Sequence, residues 1–368
     1  MLTNVPGNRE LSILTSFTQC QMLDEVYLLD NLLNSILPAS DGSLTTTLSK
    51  LVLSSNQIEG TIHSLANLTK LIDLDLSSNK IKGLIPPNIG QMHSLQVLLL
   101  DNNALEGSIP LSIYQLVHMY AFDIRHNMIT GSVSSSIKNL TSLQRLGLSS
   151  NNLSSTLPPD LCELKDLWEL YLWDNSFASH LPLGLGNFAM MINMDISANK
   201  LSGELPASLS KLQMLEYLNL SWNTIDGHTP EQLDHMLNLD TIDLSQKKLS
   251  KEIPKSLEKL QHIQALDLSF NLLEGEIPSC AKFANLSAES FLGNYALCGA
   301  PKFHVPLCLD KTERQCKSNA ARVVAACAIG GSALLVFVCT LIGTHAIETG
   351  SCQSVLTTLK DYEELHSQ

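Results

Sequence analysis

Nine side chains between positions 123 and 222 have the chemistry with which one protein surface recognises another molecule. Aromatic rings supply apolar contact area, and arginine guanidinium groups form paired hydrogen bonds with carboxylate or phosphate oxygens. Aromatic and arginine side chains dominate the binding energy of protein interfaces. The nine residues are Asp123, Arg125, Arg145, Glu169, Tyr171, Trp173, Asp195, Tyr217 and Trp222. They predict a ligand-binding surface if the fold brings them to one face.

The sequence gives no comparable indication of catalysis or of a cofactor. Histidines such as His93, His118 and His262 lack the spacing of metal ligands, and none of the nine cysteines forms a CxxC pair, so neither a metal nor a cofactor is predicted. The glycine-rich loop, VAIK, HRD and DFG motifs of protein kinases are absent, so this chain is not predicted to be an enzyme. The excess of 36 acidic over 23 basic residues argues against a nucleic-acid partner.

A repeat of about 24 residues must position the binding residues. The chain contains 69 leucines in 368 residues, and the pattern LxxLxLxxN recurs along most of its length. Its last position falls at 31, 56, 79, 103, 127, 151, 175, 199, 223, 247 and 271. This period is typical of leucine-rich repeats, and we number the eleven repeats, which occupy residues 23–278, in that order.

The fixed positions of the repeat predict its local structure. Alternation places Leu74 and Leu76 inward and Asp75 outward on a short strand, and successive strands pair in parallel. The asparagine amide can bond the backbone groups of the turn, whereas Lys247 and Lys251 replace the usual asparagine and glycine and predict a loosened turn. The fold predicted is an α/β solenoid, a right-handed superhelix with a parallel β-sheet on its concave face and one transmembrane helix. Outward strand positions of the fifth to ninth repeats then bring the nine residues together.

Two of the aromatic positions allow a second interpretation. An aromatic ring stands between serine and asparagine at Trp222 and again at Phe270, so these rings could instead cover the edge of the core. Tyr171 and Trp173, in contrast, are expected to lie on the surface and to make contacts with a ligand there. Asn219 lies in a glycosylation sequon on the same face, and a glycan there would narrow the surface to the fifth to seventh repeats.

The C-terminal part of the chain predicts a membrane anchor. Residues 323–344 contain no charge and are long enough for one helical span, so we divide this part into a cap and juxtamembrane segment (279–321), a transmembrane helix (322–345) and a short tail (346–368). The N-terminus shows no signal peptide, and the flanking charges alone would place the repeats in the cytosol. Sequons at Asn67, Asn139, Asn152, Asn219 and Asn285 favour an extracellular glycoprotein.

Sequence motifs narrow the family. The GxIP signature, as at Gly107 and Pro110, and the segments 9–20, 283–294 and 297–301 resemble the plant leucine-rich repeat receptor-like serine/threonine kinases whose ectodomains sense bacterial elicitors. The resemblance implies a peptide or protein ligand on the concave face and a co-receptor kinase near the C-terminal repeats. It also implies an incomplete N-terminal repeat (1–22), a truncated ectodomain without its kinase, and a cap disulfide between Cys298 and Cys308.

We therefore expect a membrane-tethered receptor-like protein of the plasma membrane, with its repeats outside, that signals through a partner kinase. The alternatives are a truncated ectodomain of a receptor serine/threonine kinase in defence or developmental signalling, or a non-functional gene fragment retained in the endoplasmic reticulum or cytosol. Cys20 aligns with Leu68 and Leu164 and is expected to be a buried thiol. The pairing of Cys280 and Cys316 stays open.

Overall fold

The eleven repeats form a solenoid in which each repeat contributes one strand to a long parallel sheet. The computed structural model describes residues 2, 10–17, 20, 22–38, 47–279, 283 and 285–308. The eleven strands are Glu25–Tyr27, Lys50–Val52, Asp73–Asp75, Val97–Leu99, Ala121–Asp123, Arg145–Gly147, Glu169–Tyr171, Asn193–Asp195, Tyr217–Asn219, Thr241–Asp243 and Ala265–Asp267. Every neighbouring pair is parallel and in register, so equivalent residues of successive repeats lie side by side. We call this sheet the concave sheet.

A second row of strands follows the conserved turn of most repeats. Eight strands pair in one sheet, and three more pair in a separate sheet at the C-terminal end. The eight are Glu59–Gly60, Lys80–Leu84, Ala104–Ser108, Met128–Gly131, Asn152–Thr156, Ser176–His180, Lys200–Glu204 and Thr224–Asp226; the three are Ser250–Glu252, Leu272–Glu276 and Ala296–Cys298. Between the two sheets, the bridge between His228 and Ser250 and the backbone bonds from Lys248 N–H to Ile225 and from Ser250 N–H to Gly227 take the place of a full strand pair. The row is therefore interrupted at the tenth repeat.

Short helices complete the return side of the repeats. The described residues include one α-helix, Ser12–Ser16, and a series of 3-10 helices. These are His63–Asn67, Pro87–Gln91, Leu111–Gln115, Ser135–Asn139, Pro159–Glu163, Leu183–Asn187, Ala207–Lys211, Glu231–His235, Lys255–Lys259, Ala288–Phe291 and Pro301–Phe303. Proline before or within most of them supplies an extended or turn-forming residue at the helix start. Isoleucine and leucine side chains from these helices pack into the same core as the leucines of the concave strands.

The asparagine ladder stabilises the turn of each repeat. Asn79 Nδ2 donates to the carbonyls of Leu53, Leu76 and Ser77, and Asn79 Oδ1 accepts from the backbone N–H of Ile58. The same four bonds recur at Asn56, Asn103, Asn127, Asn151, Asn175, Asn199, Asn223 and Asn271. The amide thus ties its own turn to the preceding repeat and satisfies buried backbone groups. This role was predicted from the sequence.

The ladder extends one position beyond the eleven predicted repeats. Asn294 Oδ1 accepts from the N–H of Leu273, and Asn294 Nδ2 donates to the carbonyls of Leu268 and Phe291. The following strand, Ala296–Cys298, pairs with Leu272–Glu276. Part of the segment predicted as a cap therefore has the asparagine hydrogen bonds of a repeat and a strand of the second row.

Lys247 takes the asparagine position in the tenth repeat. Its side chain is buried, at 6% exposure, and its Nζ has no hydrogen-bond partner among the described residues. Burial lowers the pKa of this amine to about 7, although the carboxylate of Asp243 opposes the shift. Lys251 adopts a positive φ of 66° where other repeats have glycine, as at Gly203. The interruption of the second row of strands coincides with these two substitutions.

The cysteines follow the predictions in part. Cys298 and Cys308 are both disulfide-bonded, and their pairing with each other stays a prediction. Cys20 is exposed, so the expectation of a buried thiol was wrong. Leu11 and Leu14, and not Cys20, occupy the core positions near the N-terminus. Leu11 lies directly before the helix Ser12–Ser16, and Leu14 lies within it.

The predicted transmembrane helix at 322–345 and the tail at 346–368 lie outside the described residues, as do Cys280 and Cys316. Within the described part of the chain, no helix combines the length and the apolar composition needed to cross a bilayer.

Candidate ligand-binding surface

The concave sheet brings the predicted binding residues to one face, in the fifth to ninth repeats. Arg145 and Glu169 are paired in register as first residues of their strands, and Gly147 lies between Asp123 and Tyr171 in the third position. Arginine, tyrosine and tryptophan side chains here are all partly exposed. Asp123 differs, with only 1% exposure. Its carboxylate therefore supports the surface from below.

An ion pair with the buried Asp123 fixes the guanidinium group of Arg125. Arg125 Nε lies 2.9 Å from both carboxylate oxygens of Asp123, and Arg125 Nη2 lies 2.7 Å from Asp123 Oδ2. Burial disfavours the arginine cation, but the hydrogen bonds and charge of Asp123 together with the charges of Asp101 and Tyr171 outweigh it, so the pKa of Arg125 is raised. Arg125 is thus permanently charged and already has an acceptor. The sequence had indicated a free guanidinium for ligand oxygens, and this arrangement leaves that role to Arg145.

Two contacts join the fifth and seventh repeats above the sixth. The guanidinium carbon of Arg125 lies 5.2 Å from the ring centroid of Tyr171, within cation–π range. The rings of His126 and Trp173 meet edge to face, with centroids 5.3 Å apart. We call these four side chains the arch. Since strands two repeats apart are separated by about 10 Å, the side chains must lean toward each other over the sixth repeat.

Gly147 of the sixth repeat makes room for the Asp123 carboxylate, which holds Arg125 of the arch. A Cβ atom on Gly147 would lie 2.6 Å from Asp123 Oδ1, too close for any side chain without displacement of that carboxylate. Ser149 is fully buried, and its hydroxyl has no hydrogen-bond partner among the described residues. Neither residue was predicted to belong to the site. A glycine at an outward strand position, where neighbouring repeats have larger side chains, was the available signal.

Arg145 is held less tightly than Arg125. Its Nη2 lies 3.7 Å from Asp123 Oδ2 and its Nε lies 3.2 Å from Glu169 Oε2. The second contact lacks hydrogen-bond geometry, because Arg145 Nε has no hydrogen-bond partner among the described residues. The side chain is 40% exposed. The Arg145 side chain is therefore partly accessible to solvent, whereas its Nε is a buried donor without a hydrogen-bond partner among the described residues.

The eighth and ninth repeats carry a hydrogen-bond network around Asp195, beside the arch. Asp195 accepts from Ser197, and its Oδ2 lies 3.3 Å from both the Tyr217 hydroxyl and Asn219 Nδ2. Burial raises the pKa of Asp195, and the hydrogen bonds from Ser197, Tyr217 and Asn219 oppose the shift. The amide nitrogen of Asn219, to which a glycan would be attached, is engaged in this network.

Trp222 lies on the turn that follows the ninth concave strand. Its backbone has a φ of 53° and its side chain is 63% exposed, so the ring does not cover the core edge. Phe270, at the equivalent position, is 46% exposed. The exposed apolar area at Trp222 extends the candidate surface toward the edge of the sheet.

A groove that the sequence did not indicate lies at the other edge of the concave sheet. It has a volume of about 430 Å³ in the eighth to eleventh repeats. The groove is lined by Asn193, Glu216, Tyr217, Asn238, Asp240, Thr241, His262 and Gln264. Tyr217 joins this groove to the residues predicted from the sequence, so the polar groove and the arch belong to one continuous face.

Comparisons with known proteins agree with the fold. Family models described as leucine-rich repeats match residues 46–105, 142–164 and 211–227. The chain is 38% identical over 69 residues to the receptor-like kinase TMK4 of Arabidopsis thaliana, a match that covers 19% of this chain and 7% of TMK4.

Two solved plant receptor structures resemble most of the chain. The plant peptide hormone receptor RGFR1, solved with RGF2, has a TM-score of 0.69 and 33% identity over 78% of this chain and 44% of its own. The ectodomain of the Arabidopsis receptor kinase HAESA, solved with an IDA peptide hormone, has a TM-score of 0.73 and 31% identity over 80% of this chain and 49% of its own. The chain thus spans less than half of the length of each receptor chain.

Proposed function

We propose that this chain, a leucine-rich repeat protein of the plant receptor-like family, binds a peptide or protein ligand on its concave sheet. The observation that carries the proposal is the continuous surface of arginine and aromatic side chains from the fifth to the ninth repeat. A fixed backbone presents these side chains, so little conformational entropy is lost on binding. The peptide ligands of RGFR1 and HAESA support the same class of ligand for this chain.

The direct contacts in this proposal are Arg145, Glu169, Tyr171, Trp173, Tyr217 and Trp222. Asp123 positions Arg125, and Asp195 positions Tyr217. Tyr171 and Trp173 supply the apolar anchor, because both belong to the arch and remain partly exposed. The charged groups around them supply specificity through hydrogen bonds.

We also propose that the chain acts at the plasma membrane, with the repeats outside, and signals through a partner kinase that docks near the C-terminal repeats. The uncharged segment 323–344 and the sequons support this arrangement. Expression of the chain in plant cells, followed by glycosidase digestion, tests it. A shift in mobility is expected, whereas unchanged mobility would contradict an extracellular location.

The binding proposal is tested by selection of peptides from a displayed library against the purified full chain. Selected peptides are then titrated against wild type and Y171A/W173A, for which at least a tenfold loss of affinity is expected. The control L111A/L183A removes two exposed leucines from the return-side helices, at 69% and 81% exposure, and should bind as wild type does. Equal affinity of wild type and Y171A/W173A would refute the assigned surface.

A further inference from the structure

The tenth repeat has a lysine at the position where the ladder uses an amide. One repeat earlier, Asn223 donates three hydrogen bonds to backbone carbonyls and accepts one from the N–H of Leu201. A lysine side chain has no acceptor, and Lys247 Nζ has no hydrogen-bond partner among the described residues. The Lys247 side chain is therefore buried in the turn without forming any of the four ladder bonds.

The turn after Lys247 is joined to the ninth repeat by backbone hydrogen bonds that replace a strand pair. Lys248 N–H donates to the Ile225 carbonyl at 2.9 Å, and Ser250 N–H donates to the Gly227 carbonyl at 2.8 Å. The second-row sheet of eight strands ends before this turn, and the sheet of three strands begins within it. The concave sheet, in contrast, continues through the tenth repeat. The connection between repeats is thus weakened on the second-row side alone.

The charges around Lys247 do not compensate a buried ammonium group. The Asp243 carboxylate favours the charged amine, but burial outweighs it and lowers the pKa of Lys247 to about 7. The other titratable and charged groups on the strands and turns packed around this side chain are Asp226, His228, Lys248, Lys251, Glu252 and Asp267. All of these except the half-buried Asp267 are exposed to solvent. A neutral amine can therefore stay in the closed turn, whereas an ammonium group gains by reaching water.

We propose that the turn 245–252 is a pH-operated joint, which is closed over a neutral Lys247 and opens when this amine takes up a proton. In the open form the ammonium group reaches water at the end of its flexible side chain. The two backbone hydrogen bonds to the ninth repeat break, and the concave sheet holds the two parts of the solenoid together. Acid thereby loosens the link between the ligand-binding repeats and the C-terminal repeats. The opening requires no ligand, so it is independent of the proposed function.

Proton binding sets the size of the pH effect. In the open turn the lysine has its ordinary pKa of about 10.5, against about 7 in the closed turn. The open form binds more protons between these two values, so the closed form is favoured as the pH rises through this window. The equilibrium constant for opening is expected to fall about tenfold from pH 6 to pH 8, and about tenfold again from pH 8 to pH 9. Well below pH 7 both forms are protonated, and the constant levels off.

Amide hydrogen exchange of the full chain at pH 6, 8 and 9, expressed as protection factors, measures opening in each repeat. In wild type, protection of segment 245–252 should rise about tenfold from pH 6 to pH 8, whereas the equivalent segment 197–204 of the eighth repeat should not change. K247M keeps an unbranched apolar side chain without the amine, and its turn should stay closed at every pH. The matched control K248M changes the exposed neighbour and should behave as wild type does.

Thermal unfolding shows whether K247M retains its fold, and K247N, which restores the ladder amide, provides the same comparison without the amine. Equal pH dependence of segment 245–252 in wild type and in the folded variants without the amine would refute the joint. A rise in protection shared equally by all repeats would also refute it, because the whole solenoid would then open as one unit.

Discussion

The buried Lys247 predicts a solenoid that is weakest below neutral pH, and K247N tests this prediction. In the unfolded chain a lysine binds a proton below a pKa of about 10.5, whereas burial in the tenth repeat lowers the folded value to about 7. The unfolded state thus holds more protons between these values, and stability rises with pH across that window. Asparagine at position 247 removes the titration and restores the donors of the ladder.

The size of the effect follows from the shift in pKa. The pKa of Lys247 differs by about 3.5 between the unfolded and the folded chain, and each pKa unit is worth about 1.36 kcal/mol. At low pH, where Lys247 is charged in both states, K247N is therefore expected to be more stable by about 5 kcal/mol. The advantage of K247N is expected to be about 4 kcal/mol at pH 7 and about 2 kcal/mol at pH 9. The comparison of two proteins at each pH cancels the other titrating groups.

Urea unfolding at pH 7 and pH 9 measures both values, and amide hydrogen exchange in the ninth to eleventh repeats shows where the gain is located. The matched control is K248N, because Lys248 is the exposed neighbour and should change stability by less than about 0.5 kcal/mol. A stability difference between K247N and wild type that does not vary with pH would refute the argument.

Three further outcomes are expected. N151A removes four ladder hydrogen bonds at a buried asparagine and should lower the free energy of unfolding by about 3 kcal/mol in urea titration; a loss below about 0.5 kcal/mol would contradict the role of the ladder. G147A should cost about 1 to 3 kcal/mol and weaken peptide binding, because its Cβ displaces Asp123; unchanged values would exclude that contact. In glycosylated protein, peptide mass spectrometry should find Asn219 unoccupied while the exposed Asn139, Asn152 and Asn285 carry glycans; a glycan on Asn219 would contradict its engaged amide.

The sequence predicted the fold because the repeat encodes it many times over. A departure from the pattern at a single position does not change the period of the repeat. The strand register follows from the alternation of Leu74, Asp75 and Leu76. The ends were less predictable. Asn294 continues the ladder after an interval in which the leucine pattern has changed, and Cys20 is displaced from the core by a local helix.

The composition of the candidate surface was predictable from the sequence, but its side-chain contacts were not. Arg125, Arg145 and Tyr171 could be assigned to one face, because side chains along a strand alternate between its two faces and these three fall on outward positions. Which arginine pairs with Asp123 depends on side-chain conformations that the repeat pattern does not specify. The arch depends on contacts between repeats two apart, and its only sequence signal was Gly147 at a position that usually has a side chain.

The central claim is that the concave sheet of the fifth to ninth repeats binds the ligand. Amide hydrogen exchange of the full chain, free and saturated with a selected peptide, tests it most directly. Protection is expected in segments 121–126, 145–149, 169–173 and 217–222, with no change in the return-side helices. Protection confined to the return-side helices, or to the second row of strands, would contradict the account.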